Sequence, residues 1–299
     1  MINPTIQMLI YGQAGTGKTT LALSAPQPLL LDFDGGVSRV NAGHQCDTVQ
    51  ITSYQDALDV LQEDLSGYQS IVIDTAGKLL DFMGDWLMER NPKLRKPNGG
   101  LTLEGFGVRK GEFRQFCRKV RMLGKHLVFV AHREAEKNQK DNMRYVPIIG
   151  GSSSSDLISE LDLVGYMEAD GRKRVITFDP TDRNDGKNTI YMPPVNELPV
   201  TVDQNGIALP NTYISENIIA AFVRRIEAQK ALNEDFTAIM DVIDGILEGV
   251  ADADTANEAC EKIKSLRHVA NSKIMAGKKM AEKAKSLGIT FNKEAGRYE

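Results

Sequence analysis

The sequence predicts an α/β fold: a core built on a mostly parallel central sheet, followed by a helical C-terminal region. Three observations carry that reading. Short apolar runs that end in polar residues recur at 8–11, 29–31, 71–73 and 127–131, as expected of strands buried on both faces. The first run leads straight into a glycine-rich loop, GQAGTGKT at residues 12–19. Beyond Pro210 the apolar residues change to helical spacing.

Composition sets the outer limits. At 299 residues, 41% hydrophobic and 25% charged, the chain can hold one large domain and an appendage. Residues 1–5 show no basic segment leading into an apolar stretch, and nowhere do about 18 apolar residues run together. A cytoplasmic location is therefore expected, with no membrane partner. Cys46, Cys117 and Cys260 are odd in number and far apart, which fits reduced thiols. His44 and Cys46 form a close pair with no second pair at ligand spacing, so no zinc site is expected there. The net charge of −4 gives no global basic signature, but charge is spread unevenly.

The loop at 12–19 fits G-x-x-x-x-G-K-[ST] at every fixed position, and a strand precedes it. The chemistry explains the spacing. Gly12, Gln13, Ala14, Gly15, Thr16 and Gly17 let successive backbone N–H groups turn around phosphates, Lys18 reaches the β and γ oxygens, and Thr19 offers a hydroxyl to Mg²⁺. A helix from Thr19 and Thr20 to Ser24 would point its positive end at the same anion. ATP and Mg²⁺ are the expected cofactors.

The run SIVIDT at 70–75 is an apolar strand ending in one acid, as expected of a Walker B carboxylate, and Asp74 is the second candidate for the metal. Many AAA+ ATPases carry a second acid directly after that aspartate to activate water. Here that place is Thr75, so a base must come from elsewhere.

The P-loop near the start, LLLDFDGG, SIVIDT, GFGVRKGEFRQFCRKVRMLGKHLVFVAH and YVPIIGG followed by LISELDLVGYME together resemble RecA-like P-loop ATPases. The likeness is to phage-encoded members of the Sak4 type, similar to the Rad51 and RecA core and associated with single-strand annealing and recombination. The resemblance spans roughly residues 5–190. It implies a RecA-like core, cytoplasmic in the host cell if phage-encoded, that works as a homo-oligomeric ring or filament on single-stranded DNA. A single-strand-binding protein would be a further partner.

Residue roles follow from the resemblance. Asp34, two residues after Asp32 in LLLDFDGG, takes the place of the carboxylate that polarises the attacking water, one methylene shorter than the glutamate more usual there. His132, at the end of the strand at 127–131, takes the place of the γ-phosphate sensor. Arg183 and Lys187 are candidates for cations acting on a neighbouring protomer's phosphate.

Two loops would meet DNA in such a fold. The first interval is basic: residues 89–125 hold eleven Lys and Arg against three acids. Lys93, Arg95, Lys96, Arg109 and Lys110 are its candidate phosphate contacts, with Phe106 as a stacking surface. Residues 114–125 also read as a solvated helix face. The second interval offers Lys137, Lys140 and Arg144 and ends in GGSSSSD. A hairpin about Asp170 and Gly171 follows.

The organisation expected is a core at 1–192, a proline-punctuated linker at 193–212 and a helical region at 213–299. Apolar stripes at 218–226 and 236–250 predict helices, Thr255 with Glu258 reads as a capping box for a third, and Gly288 stops a last one. Residues 211–259 carry three basic and ten acidic side chains, and 260–299 ten basic and four acidic. A basic tail at 273–285 either captures DNA or pairs with the acidic helices.

Two rivals stand beside the RecA-like reading. One is a nucleotide-switched binding module such as a helicase loader or replication accessory protein. The other is a small-molecule kinase, which lacks a recognisable acceptor lid.

Overall fold

A computed structural model of the chain describes residues 4–137, 142–150 and 154–299, and the side chains of all of these except 154–156. Lys140 and residues 151–153 of the GGSSSSD run lie outside the described residues.

The strands form where the apolar runs predict them. The elements before the basic segment are β1 (Gln7–Gly12), α1 (Lys18–Ala22), β2 (Pro28–Asp32), β3 (Thr48–Gln50), α2 (Tyr54–Val60), β4 (Ser70–Asp74) and α3 (Ala76–Arg90). There follow α4 (Leu103–Met122), β5 (His126–Lys137), β6 (Met143–Pro147), α5 (Ser154–Ser159), β7 (Leu163–Asp170), β8 (Lys173–Thr177), β9 (Lys187–Asn188) and β10 (Val195–Glu197). Among the described residues they make one ten-stranded sheet in the order β10-β8-β7-β1-β5-β4-β2-β3, with β6 on β5 and β9 on β7. From β7 through β3 the neighbours are parallel, and β6, β8, β9 and β10 are antiparallel additions.

The apolar runs do not alternate with polar residues because both faces of the sheet are covered. Leu9, Tyr11, Ile71, Ile73, Leu127 and Phe129 enter a core with Leu79, Phe113 and Phe116. Met8, Ile10, Val72, Val128 and Val130 enter a second core with Leu21, Ile214 and Ile218. The period-2 geometry of each strand thus feeds two cores at once. Open parallel sheets bind ligands at the carboxyl ends of their strands, and the carboxyl ends of β1, β4 and β5 lie side by side.

The chain divides into two compact units, Met1–Val223 and Arg224–Glu299. Residues 193–212, read from the sequence as a linker, belong to the first. β10 adds to the sheet edge, and Leu198, Tyr213, Ile218 and Phe222 are buried in the second core.

The second unit is helical. One helix, α6 (Ala220–Glu248), beginning at the end of the first unit, takes in the second predicted stripe and the first except Ile218 and Ile219, which lie in the helical segment Ile214–Ile219 before it; the residues between the stripes, EAQKALNED, are mostly good helix formers even where exposed. α7 (Ala253–Ser265) is capped by Asp252 with Thr255 in a reciprocal box, not by Thr255 with Glu258. α8 (Ser272–Ser286) ends just before Gly288, whose φ of +73° is left-handed, and a small hairpin of β11 (Phe291–Asn292) and β12 (Arg297–Tyr298) follows. Met240, Ile243 and Leu247 of α6 pack with Ala259, Ile263, Ala276 and Met280. Lys279 of the basic tail pairs with Asp244 of α6 at 2.5 Å, a contact of the acid-to-base kind the charge pattern offered.

Cys46, Cys117 and Cys260 are free thiols, and burial pushes Cys117 up to about 12. Among the described residues, no helix is long and apolar enough to cross a membrane.

Candidate functional site

The loop after β1 is shaped by two requirements, sheet packing and left-handed backbone. Gly12 lies between β5 and β7, opposite His132 and Met167, and a Cβ there would come within 2.3 Å of the Met167 carbonyl oxygen. Gly15 and Gly17 take φ of +79° and +92°, which only glycine adopts freely. Thr16 Oγ1 and Lys18 Nζ both donate to the Gln13 carbonyl, at 2.9 and 2.8 Å. Lys18 is buried, and that burial pulls its ammonium below the usual lysine range while nearby Asp74 partly restores it.

Among the described residues, the backbone N–H groups of residues 14, 15 and 17–19 donate to no protein acceptor, while the turn at Ala14 and Gly15 directs Thr16 N–H at the Gln13 carbonyl. A run of unengaged donors around a buried ammonium is a receptor for a polyanion. The helix contributes less than the sequence implies. α1 spans five residues and ends at Ala22 rather than Ser24, so the loop amides and Lys18 carry the site.

The metal candidates meet. Thr19 Oγ1 donates to Asp74 Oδ2 at 2.7 Å, which joins the end of β4 to the start of α1. Burial raises the Asp74 carboxyl above the ordinary range, the Thr19 hydrogen bond opposes this, and the charge of Asp32 adds to it. Among the described residues, no cluster of three or more His, Cys, Asp or Glu forms a protein-only metal cage. A hydroxyl and one carboxylate side by side suit Mg²⁺, a hard cation usually bound through one or two protein oxygens with the rest from phosphates and water.

Asp32 and Asp34 have different fates. β2 ends at Asp32, which is fully buried and accepts from the backbone N–H groups of Asp34 and Gly36 at 3.1 Å and Val37 at 3.0 Å. Asp34 lies beyond the strand in the loop so organised, one-third exposed, with Arg39 Nη2 at 3.5 Å from its Oδ2. A cavity of about 360 Å³ is lined by the loop together with Lys18, Thr19, Asp34, Asp74 and His132. Thr75 turns away from this chemistry: its hydroxyl accepts from Lys78 N–H at 3.4 Å and caps α3.

Four residues absent from the motif reading also shape the site. Arg39 lines the cavity. Arg133 donates to Gln13 Oε1 at 3.0 Å and to the Tyr166 hydroxyl, with its guanidinium 3.9 Å from the Tyr145 ring centroid. Arg174 Nε donates to the Thr16 carbonyl at 2.9 Å and packs against Gly17. Asn211 Nδ2 donates to the Thr20 carbonyl at 2.7 Å. Arg133 follows His132 directly, so its strand-end position was a usable signal. Arg174 and Asn211 reach the loop from more than 150 residues away, and nothing local marks them.

The candidate DNA residues separate into two groups. Lys93, Arg95 and Lys96 are exposed in a tight turn anchored by buried Leu94 and Leu101, with Lys96 N–H donating to Gly100 at 2.7 Å. Arg109 is not a surface contact. It is buried, donates to the carbonyls of Leu80 at 3.5 Å and Gly150 at 3.0 Å, and sits over the ring of Phe106. Phe106 packs half-buried on the core. Lys110 is half-buried on α4. Further along, Arg114 pairs with Glu160, Arg121 with Asp162, and Lys125 donates to the carbonyls of Leu65 and Tyr68.

The two candidate trans-acting cations differ as well. Arg183 is exposed and pairs with Glu168 at 3.0 Å. Lys187 donates to the carbonyls of Ile158 and Ser159 at the C-terminal end of α5. In the second interval, Arg144 pairs with Asp185 and Lys137 ends the exposed arm of β5.

Comparison with known proteins adds one finding. A family model described as an AAA domain matches residues 5–190. No curated protein matches the chain.

Proposed function

Since the match spans well over half of its length, the chain belongs to the AAA domain family, and from that premise we propose that it binds and hydrolyses ATP with Mg²⁺ while acting on single-stranded DNA. Membership implies a nucleotide at the P-loop; hydrolysis and DNA are the further steps of the reading. One observation carries it. A single cavity gathers Lys18, Thr19, Asp34, Asp74 and His132 from four separate segments, around loop amides that have no protein acceptor among the described residues.

In this reading Lys18 and the loop amides hold the phosphates. Thr19 and Asp74 hold Mg²⁺, which neutralises phosphate charge when bound. Asp34, released from Arg39, takes the proton of the attacking water, and His132 contacts the terminal phosphate. The family name and the site differ at one point. Position 75 supports no second acid, so the base is assigned to Asp34, as the RecA-like resemblance implies.

The exposed turn with Lys93, Arg95 and Lys96 supports DNA as the partner, through phosphate contacts independent of sequence. Assembly into a ring or filament, with Arg183 reaching a neighbour's phosphate, and a role in annealing or recombination belong to the same reading. They rest on the resemblance alone.

The test is ATP turnover measured with and without single-stranded DNA at rising salt. Stimulation that fades with salt supports the reading. Turnover that ignores DNA points instead to the nucleotide-switched binding module, which the separate helical unit at 224–299 favours as a place for a protein partner.

A further inference from the structure

The second unit carries a pocket of its own. Residues of α7, α8 and the β11–β12 hairpin line about 220 Å³, with Ile263, Ala276 and Met280 as a buried apolar floor and Phe291 and Tyr298 as aromatic walls. The two rings meet edge to face at 5.0 Å, and Phe291 is half-exposed. That volume falls below the range of about 300–1,000 Å³ usual for whole small molecules, so it suits a single side chain or ring.

Gly277 keeps the pocket open. It lies inside α8, where glycine weakens a helix relative to almost any other residue, and its backbone is not left-handed. Nothing lies within 4 Å of where its Cβ would sit, so no neighbour demands a glycine either. What it contributes is the space it leaves at the pocket wall, four residues after Lys273 on the same face of the helix.

The rim is basic. Lys264, His268 and Lys273 border the pocket, in a stretch, 260–299, that holds ten basic and four acidic side chains. Lys273 is exposed and has no partner among the described residues. Lys264 pairs with Glu261 at 2.6 Å, but both side chains are mostly exposed, and an incoming carboxylate replaces such a pair at little cost. His268 is already engaged, its two ring nitrogens meeting Ser272 Oγ and the Ile263 carbonyl, each at 3.0 Å. The rim therefore suits an anion, and the floor decides which. A nucleobase against Ile263, Ala276 and Met280 would lose water from its polar edge with nothing polar on those side chains to replace it, whereas an apolar side chain gives up no hydrogen bond.

We propose that this pocket docks an acidic peptide of a partner protein, one apolar side chain filling the space beside Met280 while flanking carboxylates meet Lys273 and Lys264. The assignment does not depend on the nucleotide reading. Charge brings the peptide to the rim, and burial of the anchor holds it there.

Fluorescence anisotropy on the whole chain tests this with a labelled peptide of aspartates around one phenylalanine, the same peptide with serine in place of the phenylalanine, and a deoxythymidine oligonucleotide as competitor. The phenylalanine peptide should bind about tenfold more tightly than the serine peptide, the worth of burying one such side chain. Gly277→Leu fills the space while favouring the helix, and it should erase that preference. Lys273→Glu should weaken the phenylalanine peptide about fivefold and reduce the salt dependence of its binding, and this exposed position carries the test if the leucine variant fails to fold. Equal affinity for the two peptides, no binding of the phenylalanine peptide at about 1 mM, a preference that survives in folded Gly277→Leu, or an affinity that Lys273→Glu leaves unchanged overturns the assignment. An oligonucleotide that displaces the phenylalanine peptide, and itself loses affinity in Gly277→Leu, overturns it too and gives the pocket to nucleic acid.

Discussion

The phosphate cavity and the basic segment at 89–125 both concentrate cationic groups, yet they hold them in opposite states. In the cavity Lys18 is buried against one carbonyl, beside loop amides with no protein acceptor among the described residues. In the basic segment several cations are already engaged: Arg109 on two carbonyls, Arg114 and Arg121 on carboxylates, Lys125 on two more carbonyls. A count of eleven basic residues therefore overstates the charge that the segment offers a ligand. Availability is decided by burial and partners, and the exposed turn with Lys93, Arg95 and Lys96 is one place where both permit contact.

The largest expected effect falls on the cavity. Lys18→Ala should weaken ATP binding by about a hundredfold, because several charge-assisted bonds to phosphate are lost together. Isothermal titration reads this directly, and unchanged affinity would remove the cavity from the nucleotide site. Asp34→Asn should keep ATP affinity and lower turnover by about a hundredfold or more, the usual worth of a general base. Wild-type turnover in that variant would move the base elsewhere.

The basic segment gives smaller effects that divide its residues. Replacing Lys93, Arg95 and Lys96 together by alanine should flatten the plot of log affinity for single-stranded DNA against log salt by about two units, at about 0.7 for each phosphate no longer neutralised. Its stability should stay within about 0.5 kcal/mol of wild type. Arg109→Met should do the reverse, lowering stability by about 1–3 kcal/mol as two buried carbonyls lose their donor, with the salt slope intact. Denaturant melts beside filter binding would separate them, and a normal melt for Arg109→Met would return that residue to the surface group.

The smallest effect is one of sign. Burial raises the folded-state pKa of Asp74 above the ordinary value of 3.8 that an unfolded chain would show. Between those two values the folded chain binds the proton and the unfolded chain does not. Lowering pH into that window should thus raise this residue's contribution to stability, opposite to an ion-paired carboxylate. Asp74→Asn should slightly raise the melting temperature of the ligand-free chain at neutral pH and remove the response to added Mg²⁺. A lower melting temperature would argue against buried charge as the cause.

The sequence announced the strands of the central sheet because burial on both faces left unbroken apolar runs with acids or glycine at their ends. The phosphate loop was legible for a related reason: its glycines and Lys18 are consecutive. Arg109 reads as a surface charge by identity, although its spacing from Phe113, Phe116 and Val120 puts it on the buried stripe of α4. Charge identity outweighed period there. The cap of α7 went to Asp252 instead of Thr255, a shift of three residues that composition alone could not resolve. Arg174 and Asn211 had no signature, because their roles exist only once the sheet edge and the turn at 198–209 are folded onto the loop.

Asp32 shows what the buried acid of this pair is for. Three backbone N–H groups donating to one carboxylate fix the course of the chain from 34 to 37, so the aim of Asp34 is set by the length of a single side chain. In the proposed reading, with Asp34 as the base, the pair divides labour as a jig and a tool. A glutamate at 32 would preserve the charge and still misalign its neighbour, and a displacement of about 1 Å at a reacting group can cost about a hundredfold in rate. Tolerance at these two positions should therefore be governed by reach at one and by basicity at the other.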